Sequence, residues 1–246
     1  MTEVNRNLRV ARESLVVETM VQLADTLIDD YDVIEFLGML SERCVSLVDA
    51  DEVGIMVTDG HGNLQVVASS TERTRLLELY ELQNRDGPCF EAFTTGLPVS
   101  SADLAAEHGR WSTFSTQALS VGFRSVHSIP MRLRADSVGA LSLLRAAPGL
   151  MHEADLALVG ALARMATIGL LQERAVHASR LASAQLQSAL SSRIRIEQAK
   201  GVIAERLGVD IDTAFERLRT YARNHQRPLS DLARSVVGEN FDITAD

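Results

Sequence analysis

Cysteine and aromatic residues are scarce in this sequence. The 246 residues include only two cysteines, Cys44 and Cys89, and aromatic residues make up 4% of the chain. Two cysteines are too few for a disulfide scaffold, and they form no Cys-x-x-Cys pair for zinc. We therefore expect a protein that works in a reducing compartment, the cytoplasm.

A long uninterrupted apolar run is also missing. The most apolar stretch, residues 156–171, is short for a membrane span and contains Arg164. Residues 1–14 are polar and carry three arginines without an apolar core, so they do not read as a secretory signal. We expect no membrane segment.

The sequence also lacks recognisable catalytic motifs. The sequence has no Gly-rich phosphate loop, no serine in a nucleophile elbow and no paired acidic motif. Its six histidines show no spacing typical of metal ligands. We therefore predict no enzyme activity, no metal site and no cofactor.

The charge of the chain is unevenly distributed. The net charge is −9, which argues against a protein that coats nucleic acid indiscriminately. Residues 193–227 nevertheless contain eight Lys or Arg against five Asp or Glu, an excess of three positive charges. An anionic partner is therefore expected at this C-terminal segment.

Apolar spacing predicts an α+β protein. Helical periodicity covers most of residues 14–48, and two hairpins follow, the first at residues 53–68 and the second at residues 125–144. Short helices are predicted between the hairpins, and from Glu153 a helical pattern continues almost unbroken to Leu207. This order favours an antiparallel sheet with helices packed on it, followed by a long helix.

Three helices are predicted after residue 193. Gly208 is expected to end the first helix in a left-handed conformation, and Asp210 to cap the second. Pro228 suits the first turn of the third, which Gly238 ends. Apolar residues at helical spacing give this three-helix unit a very small core.

The C-terminal segment resembles the ANTAR domain. The resemblance rests on Ile196-Glu197-Gln198-Ala199-Lys200-Gly201, on Ala214-Phe215 with Leu218-Arg219, and on Leu229-Ser230-Asp231-Leu232-Ala233. It implies RNA binding that prevents premature transcription termination. The partners it implies are hairpins in nascent transcripts, bound by a homodimer.

The larger segment resembles a GAF domain, a sensory fold. This resemblance is carried by Gly87-Pro88-Cys89-Phe90-Glu91-Ala92, Thr95-Gly96-Leu97-Pro98-Val99, Gly122-Phe123-Arg124-Ser125-Val126 and Val138-Gly139-Ala140-Leu141. The pair resembles the GAF-ANTAR regulators of actinobacteria. We predict a disordered tail at 1–14, a GAF-like domain at 15–172, a helical linker at 173–192 and an ANTAR module at 193–240. The ligand of the GAF-like domain is not indicated.

Five basic residues are candidates for RNA contacts: Arg195, Lys200, Arg219, Arg223 and Arg227. Their side chains suit phosphates and unpaired bases. Each has a structural alternative, since Lys200 borders the predicted core and exposed arginines are common. Tyr221 is interpreted as core, and Cys89 as a buried small hydrophobe, although a thiol at the start of a helix can also have a lowered pKa.

Two other functions remain open. Ala204 and Gly208 have a spacing reminiscent of a DNA-binding helix-turn-helix, but its reading helix would begin with Asp210 and Asp212, which repel phosphates. The second alternative is a non-enzymatic dimeric protein-interaction module in which the basic surface is incidental.

Overall fold

A five-stranded antiparallel sheet forms the centre of the first 173 residues. The computed structural model describes residues 3–27, 31–59, 61–107, 109–238 and 241. The strands are β1 (Glu52–Thr58), β2 (Leu64–Ser69), β3 (Val99–Ser101), β4 (Ser125–Leu133) and β5 (Asp136–Arg145), in the spatial order β2-β1-β5-β4-β3. The predicted hairpins β1–β2 and β4–β5 are confirmed, and β5 pairs with β1 to join them.

Eight helices accompany these strands in the described residues. They are α1 (Glu3–Thr26), α2 (Val33–Leu47), α3 (Glu72–Asn84), α4 (Pro88–Thr95), α5 (Ser112–Ser120), α6 (Glu153–Leu207), α7 (Ile211–Asn224) and α8 (Leu229–Gly238). The predicted continuation of the helical pattern from Glu153 to Leu207 is confirmed by α6. The chain divides into two compact units, residues 1–173 and 174–246.

The sheet is covered on both faces. One hydrophobic cluster joins β1, β4 and β5 to α1, α2 and the first part of α6, and includes Ile55 and Leu141. A second cluster, which includes Met56 and Ala140, lies on the opposite face among α3, α4 and α5. Because successive side chains of a strand alternate between faces, neighbouring residues of β1 enter different clusters. All seven residues of β1 are consequently buried.

The predicted disordered tail at residues 1–14 is wrong for residues 3–14, which belong to α1. The segment contains neither proline nor glycine, so nothing in its sequence interrupts a helix. The Arg12 side chain donates a hydrogen bond to the Leu47 carbonyl at 3.0 Å and forms an ion pair with Asp155. These two contacts tie α1 to both α2 and α6.

The first part of α6 explains the apolar stretch noted in the sequence. By length and composition alone this helix is apolar enough to cross a membrane, but 44% of its most apolar window is buried within the protein. Val159, Leu162, Ala166 and Leu170 all pack in the first hydrophobic cluster. Burial against the sheet is therefore sufficient to account for the composition.

Candidate nucleic-acid interface

The end of α6 packs with α7 and α8 around a small core. Ala199 and Ile203 of α6, Leu218 of α7 and Leu232 and Val236 of α8 are almost fully buried. Gly208 ends α6 with a φ of 61°, as predicted. The Asp210 carboxylate accepts hydrogen bonds from the Thr213 backbone N–H at 2.9 Å and from the Thr213 hydroxyl at 2.6 Å. The predicted cap of α7 is therefore confirmed.

Arg219 and Arg223 are exposed on one side of α7. They lie four residues apart, so their side chains are neighbours one helical turn from each other. Within the part of the chain that the structure describes, neither guanidinium has an ion pair or a hydrogen bond to a side chain. Both charges are therefore available to a partner.

Lys200 connects this side of α7 to α6. Its Nζ lies 2.8 Å from Glu197 Oε2 and 5.4 Å from the centre of the Phe215 ring. Only 15% of the side chain is exposed, which agrees with the expectation that it borders the core. Phe215 precedes Arg219 by one turn, so these four residues form a continuous band. We call Lys200, Phe215, Arg219 and Arg223 the basic stripe.

Arg227 lies away from the basic stripe. Its Nη2 donates to Ser235 Oγ at 3.2 Å, and its guanidinium lies 5.4 Å from the centre of the Phe241 ring. The Phe241 ring contacts Tyr221 edge-on at 5.7 Å, and Tyr221 lies about 160° around α7 from both Arg219 and Arg223 at about 100° per residue. Arg227 thus links the α7–α8 connection to α8 on the other side of α7.

Arg195 is also held within the protein. Its side chain is partly buried, and its Nε atom is shielded from solvent without a hydrogen-bond partner. Leaving a buried donor without an acceptor costs free energy. The structure brings Lys200, Arg219 and Arg223 together. Arg227 lies on the other side of α7, and Arg195 lies about 140° around α6 from Lys200 at about 100° per residue.

Two aromatic residues of α7 lie at the edge of the small core. Phe215 is half-buried and lies beneath Lys200 within the basic stripe. Tyr221, predicted as core, is half-buried and packs against the small core of the three helices, and its ring stacks on His225 with ring centres 3.9 Å apart. The position of Phe215 beside Arg219 was visible in the helical spacing, but its partial exposure depends on how α6 packs.

The first unit holds two buried carboxylic acids on α3. Glu78 is 2% exposed, and neither of its carboxylate oxygens has a hydrogen-bond partner. Burial, followed by repulsion from Glu81, raises its pKa well above the usual value. Burial likewise raises the pKa of Glu81 to about 8, although Glu81 Oε1 accepts a hydrogen bond from the Phe90 N–H at 2.7 Å. Sequence reasoning gave no sign of either buried acid.

Glycines provide the space for both acids. A β-carbon at Gly54 of β1 would overlap the Glu78 carboxylate, and one at Gly87 would overlap the Glu81 side chain. Cys89 is fully buried nearby, and burial, followed by the charges of Glu81 and Glu78, raises its thiol pKa well above the usual value. The interpretation of Cys89 as a buried hydrophobe is confirmed, and the alternative of a lowered pKa is wrong.

The acidic, histidine and cysteine side chains do not gather into a metal site in the part of the chain that the structure describes. No cluster of three or more His, Cys, Asp or Glu side chains with metal-site geometry occurs among the described residues. The buried acids instead lie on α3, the helix that contributes Leu77 to the second hydrophobic cluster. At neutral pH their raised pKa values favour the protonated forms.

Solved structures share the fold of the first unit. The GAF domain of a phosphoenolpyruvate-protein phosphotransferase from Coxiella burnetii is 16% identical, with a TM-score of 0.52, covering 66% of this chain and 96% of that one. A domain of a two-component sensor histidine kinase protein from Sinorhizobium meliloti is 14% identical, with a TM-score of 0.51, covering 61% and 99%. A free methionine-R-sulfoxide reductase from Neisseria meningitidis is 18% identical, with a TM-score of 0.51, covering 66% and 92%. No curated protein matched the sequence.

Two family models match the sequence. The GAF domain model matches residues 32–170, more than half of the chain. The ANTAR domain model matches residues 184–237, which include the end of α6, α7 and most of α8. The basic stripe lies within the second match. The chain therefore belongs to the GAF domain family and carries an ANTAR domain after its GAF domain, the domain order of a GAF-ANTAR regulator.

Proposed function

We propose that this protein is a non-enzymatic, cytoplasmic regulator whose ANTAR domain binds hairpins in nascent transcripts. Binding holds the RNA in a form that excludes a terminator, and the GAF domain controls this activity. The proposal is supported by the pairing of a sensory domain with an RNA-binding antitermination domain. The basic stripe is the single structural observation that carries it.

The chemistry of the basic stripe suits a looped RNA. Arg219 and Arg223 present two unpaired guanidinium groups, which form charge-assisted hydrogen bonds with phosphates. A guanidinium plane and a half-buried ring also accept unstacked bases, and such bases occur in hairpin loops rather than in continuous duplexes. Lys200, held by Glu197 over the Phe215 ring, adds positive charge beside them.

The alternative of a DNA-reading helix fits α7 less well. The start of α7 carries Asp210 and Asp212, and hydrogen bonds from Thr213 lower the pKa of Asp210. Two negative charges at the end that would enter the major groove repel phosphates. The two arginines of the basic stripe, Arg219 and Arg223, lie instead in the second half of α7.

A homodimer is supported by apolar side chains along α6 within the second unit. Leu186, Leu190 and Ile194 are each more than half exposed. At about 100° per residue they lie within about 80° of one another on the helix. A stripe of exposed leucine and isoleucine is unfavourable in water, and a second copy of the same helix would cover it.

The test compares two arginines of the same helix. We expect Arg219→Ala to weaken binding to a hairpin identified by cross-linking and sequencing cellular RNA by about tenfold, the scale of one charge-assisted contact. Arg217 is a matched control, because it is also exposed and lies about 160° from Arg219 around α7. Arg217→Ala should therefore change the dissociation constant by less than about twofold.

A third variant reverses the sign of the effect. Glu216 is exposed and lies one turn before Arg219, so Glu216→Gln removes a negative charge beside the stripe. We expect RNA binding to tighten by about twofold at low salt. Equal weakening of RNA binding by Arg217→Ala and Arg219→Ala would show that the basic stripe is not the RNA-binding site. Equal affinity for duplex DNA and for the hairpin at one salt concentration would contradict an RNA-specific function.

A further inference from the structure

A groove of about 500 Å³ lies in the GAF domain between the edge of the sheet and α6. Ligand sites commonly have volumes of about 300 to 1,000 Å³, mostly apolar walls and a few polar groups. The groove lies on the face of the sheet opposite α3, so it is separate from the buried acids Glu78 and Glu81. It also shares no residue with the basic stripe.

The groove is open to solvent along the short edge strand β3. This strand contains only three residues, and Ser100 pairs with His127 of β4, so both side chains face the same side of the sheet. His127 is buried, whereas Ser100 is exposed. The helical layer therefore ends before it reaches β3, and this leaves a concave surface between strand and helix.

Helix α6 forms the opposite wall with residues spaced four apart. Leu156, Gly160 and Arg164 all line the groove, as expected for side chains on one helical face. A β-carbon at Gly160 would meet no atom within 4 Å. This glycine thus widens the groove, since a larger side chain at position 160 would occupy it.

The charge of the groove is opposite in sign to that of the chain. Its lining includes Arg132, Arg134 and Arg164 and no Asp or Glu, whereas the whole chain has a net charge of −9. Among the described residues, the Arg164 side chain has neither an ion pair nor a hydrogen bond. Three uncompensated positive charges around one concavity favour an anion.

Arg132 and Arg134 are positioned by local backbone features. Arg132 Nε donates to the Arg134 carbonyl at 2.7 Å. This bond fixes the side chain and leaves both Nη groups without a protein acceptor among the described residues. A β-carbon at Gly96 would overlap Arg132 Nη1. Glycine at position 96 therefore allows the guanidinium to lie against the α4–β3 loop.

Arg134 occupies an unusual position for an arginine. It is the first residue of the two-residue β4–β5 turn and has a φ of 56°. Positive φ at this point of a hairpin favours glycine, so an arginine here adds backbone strain. Strain of this kind is concentrated at binding and catalytic sites. Glycine would form this turn with less strain, so the arginine side chain serves a purpose other than forming the turn.

His127 does not contribute charge to the groove. Its Nε2 accepts a hydrogen bond from the Met151 N–H at 3.1 Å. Burial, followed by the positive charge of Arg145, lowers its pKa, although a hydrogen bond with the Gly149 backbone opposes this shift. The ring is therefore neutral at pH 7, and the positive charge comes from the three arginines.

We propose that this groove binds a small organic anion with an apolar body. A carboxylate, sulfonate or phosphate group would lie between Arg164 of α6 and two arginines of the β4–β5 hairpin, Arg132 and Arg134, because guanidinium groups bind such oxygens in pairs. The body of the ligand would pack on Leu156, Ile129 and Pro98, which also line the groove. This proposal goes beyond RNA binding and rests on different residues.

The test uses three probes on the full chain. We choose 2-naphthoate, its neutral carboxamide, and acetate, and we follow binding by isothermal titration calorimetry and by ligand-observed NMR. We expect 2-naphthoate to bind at least tenfold more tightly than the carboxamide, which lacks the charge, and than acetate, which lacks the apolar body. Inorganic phosphate serves as a further small-anion control beside these three probes and should resemble acetate.

Variants locate the binding site. Arg164→Ala should weaken 2-naphthoate binding by about tenfold and leave carboxamide binding unchanged. Gly160→Leu fills the groove and should abolish binding of both. Arg75→Ala is the control, because Arg75 is an exposed arginine of α3 on the other face of the sheet. Equal affinity for the three probes, or equal effects of Arg164→Ala and Arg75→Ala, would overturn the proposal whether or not the ANTAR domain binds RNA.

Discussion

The GAF and ANTAR domains use their charged side chains differently. In the GAF domain, five ion pairs join residues far apart in the sequence, Arg12–Asp155, Arg73–Glu52, Arg110–Glu91, Arg124–Asp103 and Arg145–Asp49, and the exposed pair Arg75–Glu72 links residues three positions apart. In the ANTAR domain, the pairs Lys200–Glu197 and Arg234–Asp231 each link residues three positions apart. Arg217, Arg219 and Arg223 remain exposed on α7.

This difference separates charges that stabilise the fold from charges available to a partner. A pair such as Arg12–Asp155 holds two helices together, and Glu52 is almost buried where it meets Arg73. An exposed pair within one helix contributes only a few tenths of a kcal/mol. Removing charges should therefore affect stability in the GAF domain and RNA affinity in the ANTAR domain.

The largest expected effect is on the pH dependence of GAF domain stability. The folded pKa of Glu81 is raised to about 8 by burial, above its unfolded value, so its contribution is present at low pH and is lost as pH rises toward 8. Between pH 6.5 and 8 we expect the free energy of unfolding to fall by about 2 kcal/mol from Glu81, and further from Glu78. Urea unfolding followed by fluorescence of Trp111, the single tryptophan, measures this.

The titration of other groups contributes little to the change in unfolding free energy between pH 6.5 and 8. His127, whose pKa is lowered by burial, gives the opposite slope, but only below its ordinary value of about 6.5. Glu81→Gln should reduce the slope. Glu72→Gln on the same helix should not, because the hydrogen bond from Arg75 lowers the pKa of the exposed Glu72. A flat stability profile from pH 6.5 to 8 would show that the acids are not buried as described.

The next effect contrasts arginines of the two domains. Arg73→Ala leaves the nearly buried Glu52 carboxylate with Thr71 and Thr74 but without a positive charge, and removes a guanidinium 4.6 Å from the centre of the Phe123 ring. We expect a loss of about 1.5 kcal/mol in unfolding free energy, reduced from the buried-pair value because Arg73 is half-exposed. Trp111 fluorescence during urea unfolding reports the change.

The matching ANTAR variants should leave stability almost unchanged. Arg219→Ala and Arg223→Ala remove exposed side chains, so we expect unfolding free energies within about 0.5 kcal/mol of the parent. Circular dichroism at the helical band measures this for the C-terminal helices. A loss comparable to that of Arg73→Ala would mean that these arginines support the fold, and the contrast between the domains would not hold.

The last comparison, within the ANTAR domain, concerns Arg227. We expect Arg227→Ala to lower ANTAR stability by about 1 kcal/mol, since it removes the hydrogen bond to Ser235 and the contact with Phe241. RNA affinity should change less than it does for Arg223→Ala, when both are measured by fluorescence anisotropy at a temperature where the variants are folded. Weaker RNA binding with unchanged stability would instead show that Arg227 belongs to the RNA-binding surface.

Local signals were sufficient for much of the fold. Asp210 and Gly208 predicted the break between α6 and α7 because capping depends on a few adjacent residues. The two hairpins were visible from alternating apolar residues and turn residues. The pairing of β5 with β1 was not, because it joins strands about 80 residues apart and depends on the whole sheet.

The candidate site was only partly predictable. Helical spacing placed Arg219 and Arg223 together and Lys200 beside the core, and the structure agrees. The burial of Arg195 Nε and the engagement of Arg227 with Ser235 depend on how three helices pack, which spacing within one helix does not reveal. Glu78 and Glu81 escaped prediction because acidic residues in a helix normally face water.

The contact between Gly54 and Glu78 constrains how these two positions change among relatives. A side chain at position 54 needs space that the Glu78 carboxylate now fills. Alanine at position 54 is therefore compatible with this packing only where residue 78 is shorter. We therefore expect substitutions at positions 54 and 78 to be correlated among relatives of this protein, which couples the sequence of strand β1 to that of helix α3.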